Sequence, residues 1–307
     1  MSVLEQNSRK RMLLGQDGNS LTLLIIFNAI IFVLLNFAKV IYLVNNSTEV
    51  VFNEQVLTWA VVPTHPEIFA TRPWTLLLYM FTHIKVLHLF SSLLWLWSFG
   101  YILQDLSGNK KLIPVYLYGG LAGSVAFLLS LNLIPSFQNN IDSYLPLIGA
   151  GPSLMAIAVA ATSLSPNYRI FPLISGGIPL WVLTAVFVLI SLGTVGMDNP
   201  GHAAALIAGG LTGYAFVWQL GKGNDWGQWM NNLATWTNDL FNPEKKHVQK
   251  PQKQQLYYKS TQKPFEKTPH ITQQRVDDLL DKIHQKGYNS LSEDEKEFLK
   301  KASREEL

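Results

Sequence analysis

Apolar residues gather into six long runs separated by short polar breaks, and within the runs no polar stripe recurs. The first covers residues 21–44, more than the ~20 residues a spanning helix needs. The others cover residues 74–103, 112–133, 149–164, 171–192 and 202–220. Runs that are apolar all round predict helices surrounded by lipid or protein. Residues 21–222 are therefore expected to form a membrane domain of six spans, with residues 45–72 as a long loop between the first two. Asn28, Asn36 and Lys39 interrupt the first run. Lys39 lies near its end, where a lysine stem can follow apolar surface to water. Residues 1–20 are polar and form an N-terminal cytoplasmic segment. The run after them is too long for a signal-peptide core and lacks a cleavage pattern, so it is expected to be a retained first span.

Past the sixth run the pattern changes period. Trp226, Trp229, Met230, Leu233, Trp236 and Leu240 recur at helical spacing with Asn, Gln and Thr opposite. That predicts an amphipathic helix over residues 223–242, lying in the membrane interface with its tryptophans at headgroup level. Residues 243–269 carry seven lysines against two glutamates among Gln, Pro and Ser. The expectation is a disordered linker whose positive charge favours anionic lipid. Order resumes over residues 270–307. Val276, Leu279, Leu280 and Ile283 form one helix stripe, and Gly287 stands where a left-handed cap would end it. Ser292 and Glu295 form a capping box ahead of a second helix bearing Phe298 and Leu299. Two short helices bury little, so this is a small cytoplasmic unit suited to docking a partner rather than to catalysis.

Charge divides the chain the same way. Residues 1–222 hold 10 Lys/Arg and 8 Asp/Glu, whereas the last 85 residues hold 14 and 13. A net charge of +3 without a basic, aromatic-studded face gives no reason to expect nucleic acid. The chain has no cysteine, which excludes disulfides and thiolate metal sites. His83 and His88 stand five apart on the second run with no acidic neighbour, a poor spacing for a metal; no metal or cofactor is expected. Arg9, Lys10, Arg11, Lys110, Lys111 and Arg169 fall on the side of the membrane shared with the tail. The positive-inside rule then puts both termini in the cytoplasm.

One stretch breaks the apolar pattern from within, Leu147-Ile148-Gly149-Ala150-Gly151-Pro152-Ser153-Leu154-Met155-Ala156. Irregular backbone at membrane depth is tolerated only where protein buries it or a cavity needs it, so a site is expected here. Small residues recur at close-packing spacing in two runs, at Gly119, Gly120 and Gly123 and at Ala205, Gly209 and Gly213. Arg72-Pro73-Trp74-Thr75, Phe81-Thr82-His83, His88-Leu89, Tyr118 to Gly123, Gly149-Ala150 with Leu154-Met155-Ala156, Asn199-Pro200-Gly201, and Gly209 with Gly213-Tyr214 follow one another over residues 70–220. In that order they resemble the rhomboid intramembrane proteases of the bacterial six-span type. The resemblance implies an all-α membrane protein, a six-transmembrane-helix rhomboid-like bundle in a bacterial inner membrane.

It also implies where chemistry would sit. In that family a serine on the fourth span attacks the peptide, a histidine on the sixth takes its proton, and a histidine and an asparagine on the second stabilise the oxyanion. Carried over without gaps, the serine position is Gly151, followed by Pro152, and the base position is Leu206. The other histidine of the sixth span falls on Ala203, the oxyanion histidine is His88, and the asparagine is Ser92. Three of the four groups are replaced. A chain without nucleophile and base has no route to an acyl-enzyme, so the expected protein is a proteolytically impaired pseudoprotease that binds transmembrane segments of other proteins.

The alternative is an active endopeptidase using a displaced pair, Ser153 with His202. Relative to the family's positions, these shifts separate serine and histidine by ~9 Å along parallel helices at ~1.5 Å rise per residue, whereas a general base must come within ~3 Å. Ser153 also reads as a helix-cap or first-turn hydroxyl, and His202 as a polar ring at the outer interface.

Overall fold

In the computed structural model the described residues are 18–45, 48–170, 177–195, 199–241 and 273–305. The N-terminal segment before residue 18 and the lysine-rich stretch 243–269 lie outside them. The chain divides into two compact units, Met1–Asn242 and Pro243–Leu307.

In the first unit α1 spans Ser20–Val44. Asn19 caps it by accepting from the Leu21 N–H, and Asn109 reaches across to accept from Ser20 N and donate to Gly18 O. The stretch expected as a plain loop between the first two spans is folded. It contains α2 at Glu49–Gln55 and α3 at Pro66–Thr71, and Lys39 of α1 pairs with Glu49 at 2.6 Å instead of merely reaching water.

The second span starts later than its hydropathy indicates. Residues from Thr75 form a separate turn of helix, α4 (Thr75–Leu78), followed by a 3-10 turn at Tyr79–Phe81. The spanning helix α5 begins only at Val86 and ends at Ser107. Thr82 makes the break: its hydroxyl donates to Leu78 O and Ala60 O, which commits the chain there to extended backbone. The third run forms α6 at Leu112–Leu133, with the expected bounds, followed by α7 at Pro135–Gln138. Next comes α8, Gly151–Leu164, then the short antiparallel pair β1 (Arg169–Ile170) and β2 (Ile178–Pro179). The fifth helix, α9, is confined to Leu180–Val195 rather than starting near residue 171, and α10 covers Pro200–Gly221. The amphipathic stripe lies on α11, Gln228–Phe241.

Among the described residues, six apolar helices therefore stand where six runs predict them, and of these α1, α5, α10 and α6 with its preceding turn have spanning length. The shortfall in α8 has a physical reason. At ~1.5 Å per residue its 14 residues cover ~21 Å of a ~30 Å hydrocarbon layer. The remainder is made by the irregular lead-in, and Pro152 through Ala158 are buried by protein on all sides. A helix enclosed by protein over that stretch is not held to spanning length by bilayer thickness.

Helices α6 and α10 hold α8 between them. A Cβ on Gly119 would overlap the Ala156 side chain, and one on Gly123 the Pro152 ring; on the other flank, Gly209 and Gly213 abut the carbonyl oxygens of Pro152 and Ala156. Both small-residue rows thus meet on the same turn of α8, where close backbone approach supplies the packing that lipid does not oppose.

The second unit is a helical hairpin, α12 (Gln273–Lys286) and α13 (Glu293–Glu305), closed over Leu279, Leu291 and Phe298. Gly287 takes φ +80° and its N–H returns to Ile283 O. The capping box forms as expected, with Ser292 N–H donating to Glu295 Oε2 at 2.8 Å and Glu295 N–H to Ser292 Oγ.

Two outcomes follow. Gly213→Ala forces a methyl onto the Ala156 carbonyl and is expected to destabilise the bundle by about 1–3 kcal/mol in a detergent denaturation series. Gly193→Ala, with open space around it, is expected to be neutral or slightly stabilising. In the tail, the Lys282 hydrogen bond holds the Glu295 carboxyl below its ordinary 4.5, and Lys296 does the same for Glu293. The stabilisation they give is present above pH 4.5 and is lost as pH falls through the lowered folded values. Amide protection factors over residues 293–298, taken against intrinsic exchange at the same pH, should fall in that window, and at neutral pH should fall in Ser292→Ala, which loses about 1 kcal/mol of capping.

Candidate functional site

The lead-in to α8 is suspended from three neighbours. Val62 and Leu147 form an antiparallel bridge, Gly149 N–H donates to Tyr79 O at 2.9 Å, and Asn199 Oδ1 accepts from Leu145 N–H at 3.1 Å. Tyr79 is itself fixed, its hydroxyl donating to Gly120 O at 2.6 Å, while the Tyr116 hydroxyl donates to Met80 O. The Leu145, Leu147 and Gly149 N–H groups of this irregular backbone thus each have a partner supplied by an adjoining element, as buried non-helical chain requires. Gly149 takes φ +94°, a conformation that suits glycine, and the His88 ring lies where a side chain would go, with Cε1 2.7 Å from the position of a Cβ.

Below the lead-in is a cleft of about 260 Å³ between α5, α8, α9 and α10. It is lined by His88, Ser91, Ser92 and Trp95 from α5, Gly151, Pro152 and Leu154 from α8, Phe187, Ile190, Ser191 and Thr194 from α9, and His202 and Leu206 from α10. Ser91 and Thr194 are exposed, and Ile190 is half exposed. They mark a rim on the α5–α9 side, where the two helices meet through Phe187, 4.8 Å from the Trp95 ring and 5.4 Å from that of Phe99.

The positions singled out by sequence separate cleanly. Gly151, Leu206, His88 and Ser92 all line this cleft. A Cβ on Gly151 would fall 3.2 Å from Leu206 Cδ2, so the two positions face each other in contact. The side chain that fills the space is a hydrocarbon. Ser153 points elsewhere, toward α6: a Cβ on Gly120 would fall 2.6 Å from its Oγ, and the residue is fully buried. Its hydroxyl has no hydrogen-bond partner among the described residues, and neither does His202 Nδ1. Ser153 and His202 are therefore not joined. His202 packs edge-on against Phe127 at 5.3 Å, while another of its edges lies in the cleft.

His83 and His88 are closer than their spacing implies, with ring centroids 5.1 Å apart. His83 precedes α5 instead of riding on it, so helical face arithmetic does not apply. Ser191 and Thr194 escaped the sequence reading, although three residues apart on a helix puts two hydroxyls on one face.

Chemically, the cleft offers imidazoles and hydroxyls but no carboxylate among the described residues that line it. Such a lining can hydrogen-bond to neutral polar groups in an otherwise apolar setting. Ser153 is not among the residues that line the cleft.

Residues 264–305, which include the helical hairpin, match a family of unknown function (DUF6576). No curated protein matches the chain. Residues 70–219, from the segment ahead of α4 through nearly all of α10, match the Rhomboid domain. With its apolar helices arranged around a central α8, this chain is an integral membrane protein of the rhomboid family.

Proposed function

We propose that this protein is a rhomboid relative without peptidase chemistry, one that keeps the bundle as a receptor for transmembrane segments of other proteins. The observation that carries the reading is the contact between Gly151 and Leu206. At the two positions the family uses for nucleophile and base, this chain brings together a hydrogen and an isobutyl group. The hydroxyls of Ser91, Ser92, Ser191 and Thr194 line the cleft with Trp95 and Phe187, a lining suited to a partner span with locally exposed backbone polar groups. Hydrogen bonding of this kind in lipid contributes ~1 kcal/mol per bond, enough for selective and reversible holding. Residues 270–307 serve as a docking unit for a cytoplasmic partner, with both termini on the cytoplasmic side of a bacterial inner membrane. The lysine-rich stretch 243–269 adds attraction to anionic lipid.

The competing reading is an active endopeptidase built on Ser153 and His202. The unpartnered Ser153 hydroxyl facing Gly120 counts against it.

Incubation of the full chain in liposomes with a type-I transmembrane substrate separates the two. The natural chain is expected not to cleave and to retain the substrate span on co-purification, with Ser153→Ala unchanged in both respects and His202→Ala equally without cleavage. Ser191→Trp, which fills the cleft, should weaken retention about tenfold, ~1.4 kcal/mol. Cleavage by the natural chain that disappears in both alanine variants would establish the displaced pair instead. The triple variant Gly151→Ser, Pro152→Gly, Leu206→His restores hydroxyl and imidazole at the facing positions, and is expected to cleave at least ~10²-fold faster than the natural chain. A folded but inert triple variant would refute the alignment of these positions with the family's dyad.

A further inference from the structure

Helix α11 carries a row of large apolar side chains that are largely uncovered among the described residues. Trp229, Leu233 and Trp236 are each more than half exposed, and Trp226 just ahead of the helix is 40% exposed. The start of the helix is nonetheless fixed firmly to α6. Lys111 pairs with Asp225. The Tyr118 hydroxyl donates to Trp226 O at 2.9 Å and accepts from Trp229 Nε1 at 2.6 Å. Gly227 lies so close to Pro114 that a Cβ would come within 2.7 Å of its ring.

This junction stands at the level where the bundle leaves hydrocarbon. Lys110 and Lys111 precede α6, and Lys222 follows α10 with its ammonium 3.3 Å from the centroid of the exposed Trp218 ring. Lysine and tryptophan together mark the boundary between acyl chains and headgroups. Above that boundary on α10, Leu211 and Tyr214 are exposed as a lipid-facing side should be. The apolar row on α11 therefore continues a surface that already faces lipid. Charge narrows the occupant further. Between Gln228 and Phe241 the only charged residue in the sequence is Asp239, and the face opposite the tryptophans carries Asn231 and Thr235. A neutral polar face has nothing with which to select a charged protein partner, and it suits a layer of zwitterionic headgroups.

We propose that α11 lies in the headgroup layer of the same bilayer that the bundle spans, with Trp229, Leu233 and Trp236 turned toward the acyl chains. Tyr118, Lys111 and Asp225 form the pin that sets its depth. Seating of this helix needs no anionic lipid, and it is independent of whether the cleft cuts or merely holds its client.

The absence of cysteine from the chain makes the test direct. Leu233→Cys and Thr235→Cys point in opposite directions, ~200° apart at ~3.6 residues per turn. Each is introduced singly into the full chain, spin-labelled, and reconstituted in phosphatidylcholine vesicles. Collision with oxygen is compared with collision with a water-soluble nickel complex. The expected result is an oxygen-to-nickel ratio at Leu233 at least about fivefold above that at Thr235, as for a helix with one face sunk ~5–10 Å into the interface. Equal accessibility at the two positions would overturn the proposal. So would spin–spin broadening at Leu233 that vanishes on dilution with unlabelled chain, which would make a second copy the occupant. Protection of Leu233 that appears only when phosphatidylglycerol is added would likewise refute it, since seating would then depend on charge outside the helix.

Discussion

The whole bundle depends on how closely the backbone of α8 approaches those of α6 and α10. Lipid is as apolar as the side chains it surrounds, so helices in it gain little from burial itself and must gain from contact density. Gly119 and Gly123 on one side and Gly209 and Gly213 on the other let the Pro152–Ala156 turn come nearer than any side chain would allow. That approach also orients the site. Once Pro152 and Ala156 are wedged between the glycine rows, the rotation of α8 is fixed. Gly151 then faces Leu206 across the cleft, and Ser153 faces Gly120.

Much of this arrangement is visible in the sequence, because hydropathy reports which segments avoid water. The third run matches α6 at both ends, and the capping box at Ser292 and Glu295 forms as its spacing indicates. What hydropathy cannot see is a backbone break that costs no polarity. The second run looks continuous from Trp74, yet Thr82 diverts the chain through hydrogen bonds to Ala60, a partner distant in sequence. The same blindness made residues 45–72 read as a loop and put His83 on a helix it precedes. The site shows a different limit. The axial offset between Ser153 and His202 was the sequence argument against their pairing, but the rotational one is sharper. Two residues along a helix turn ~200° about its axis, and the Ser153 hydroxyl, against Gly120, does not face the cleft that Gly151 lines. His202 and Leu206, four apart, both line it.

The two units rest on different physics. The membrane unit is held by small residues and by tyrosine hydroxyls that satisfy buried carbonyls, as Tyr79 does for Gly120 and Tyr116 for Met80. The tail hairpin closes over a few side chains and leans on capping and on ion pairs such as Lys282 with Glu295. Its stability consequently responds to pH and salt.

The shortness of α8 also bears on how the protein is made. A helix that cannot cross the bilayer by itself, and whose neighbours are α6 before it and α10 after it in the chain, has half of its surroundings missing while it emerges from the ribosome. The Pro152 and Ala156 carbonyls find Gly209 and Gly213 only after roughly fifty further residues have been synthesised, several seconds at ordinary rates of elongation. Until then α8 is an incomplete insert resting on α6. Completion of the cleft is thus a late event in biosynthesis, and α10 is the segment that closes the fold.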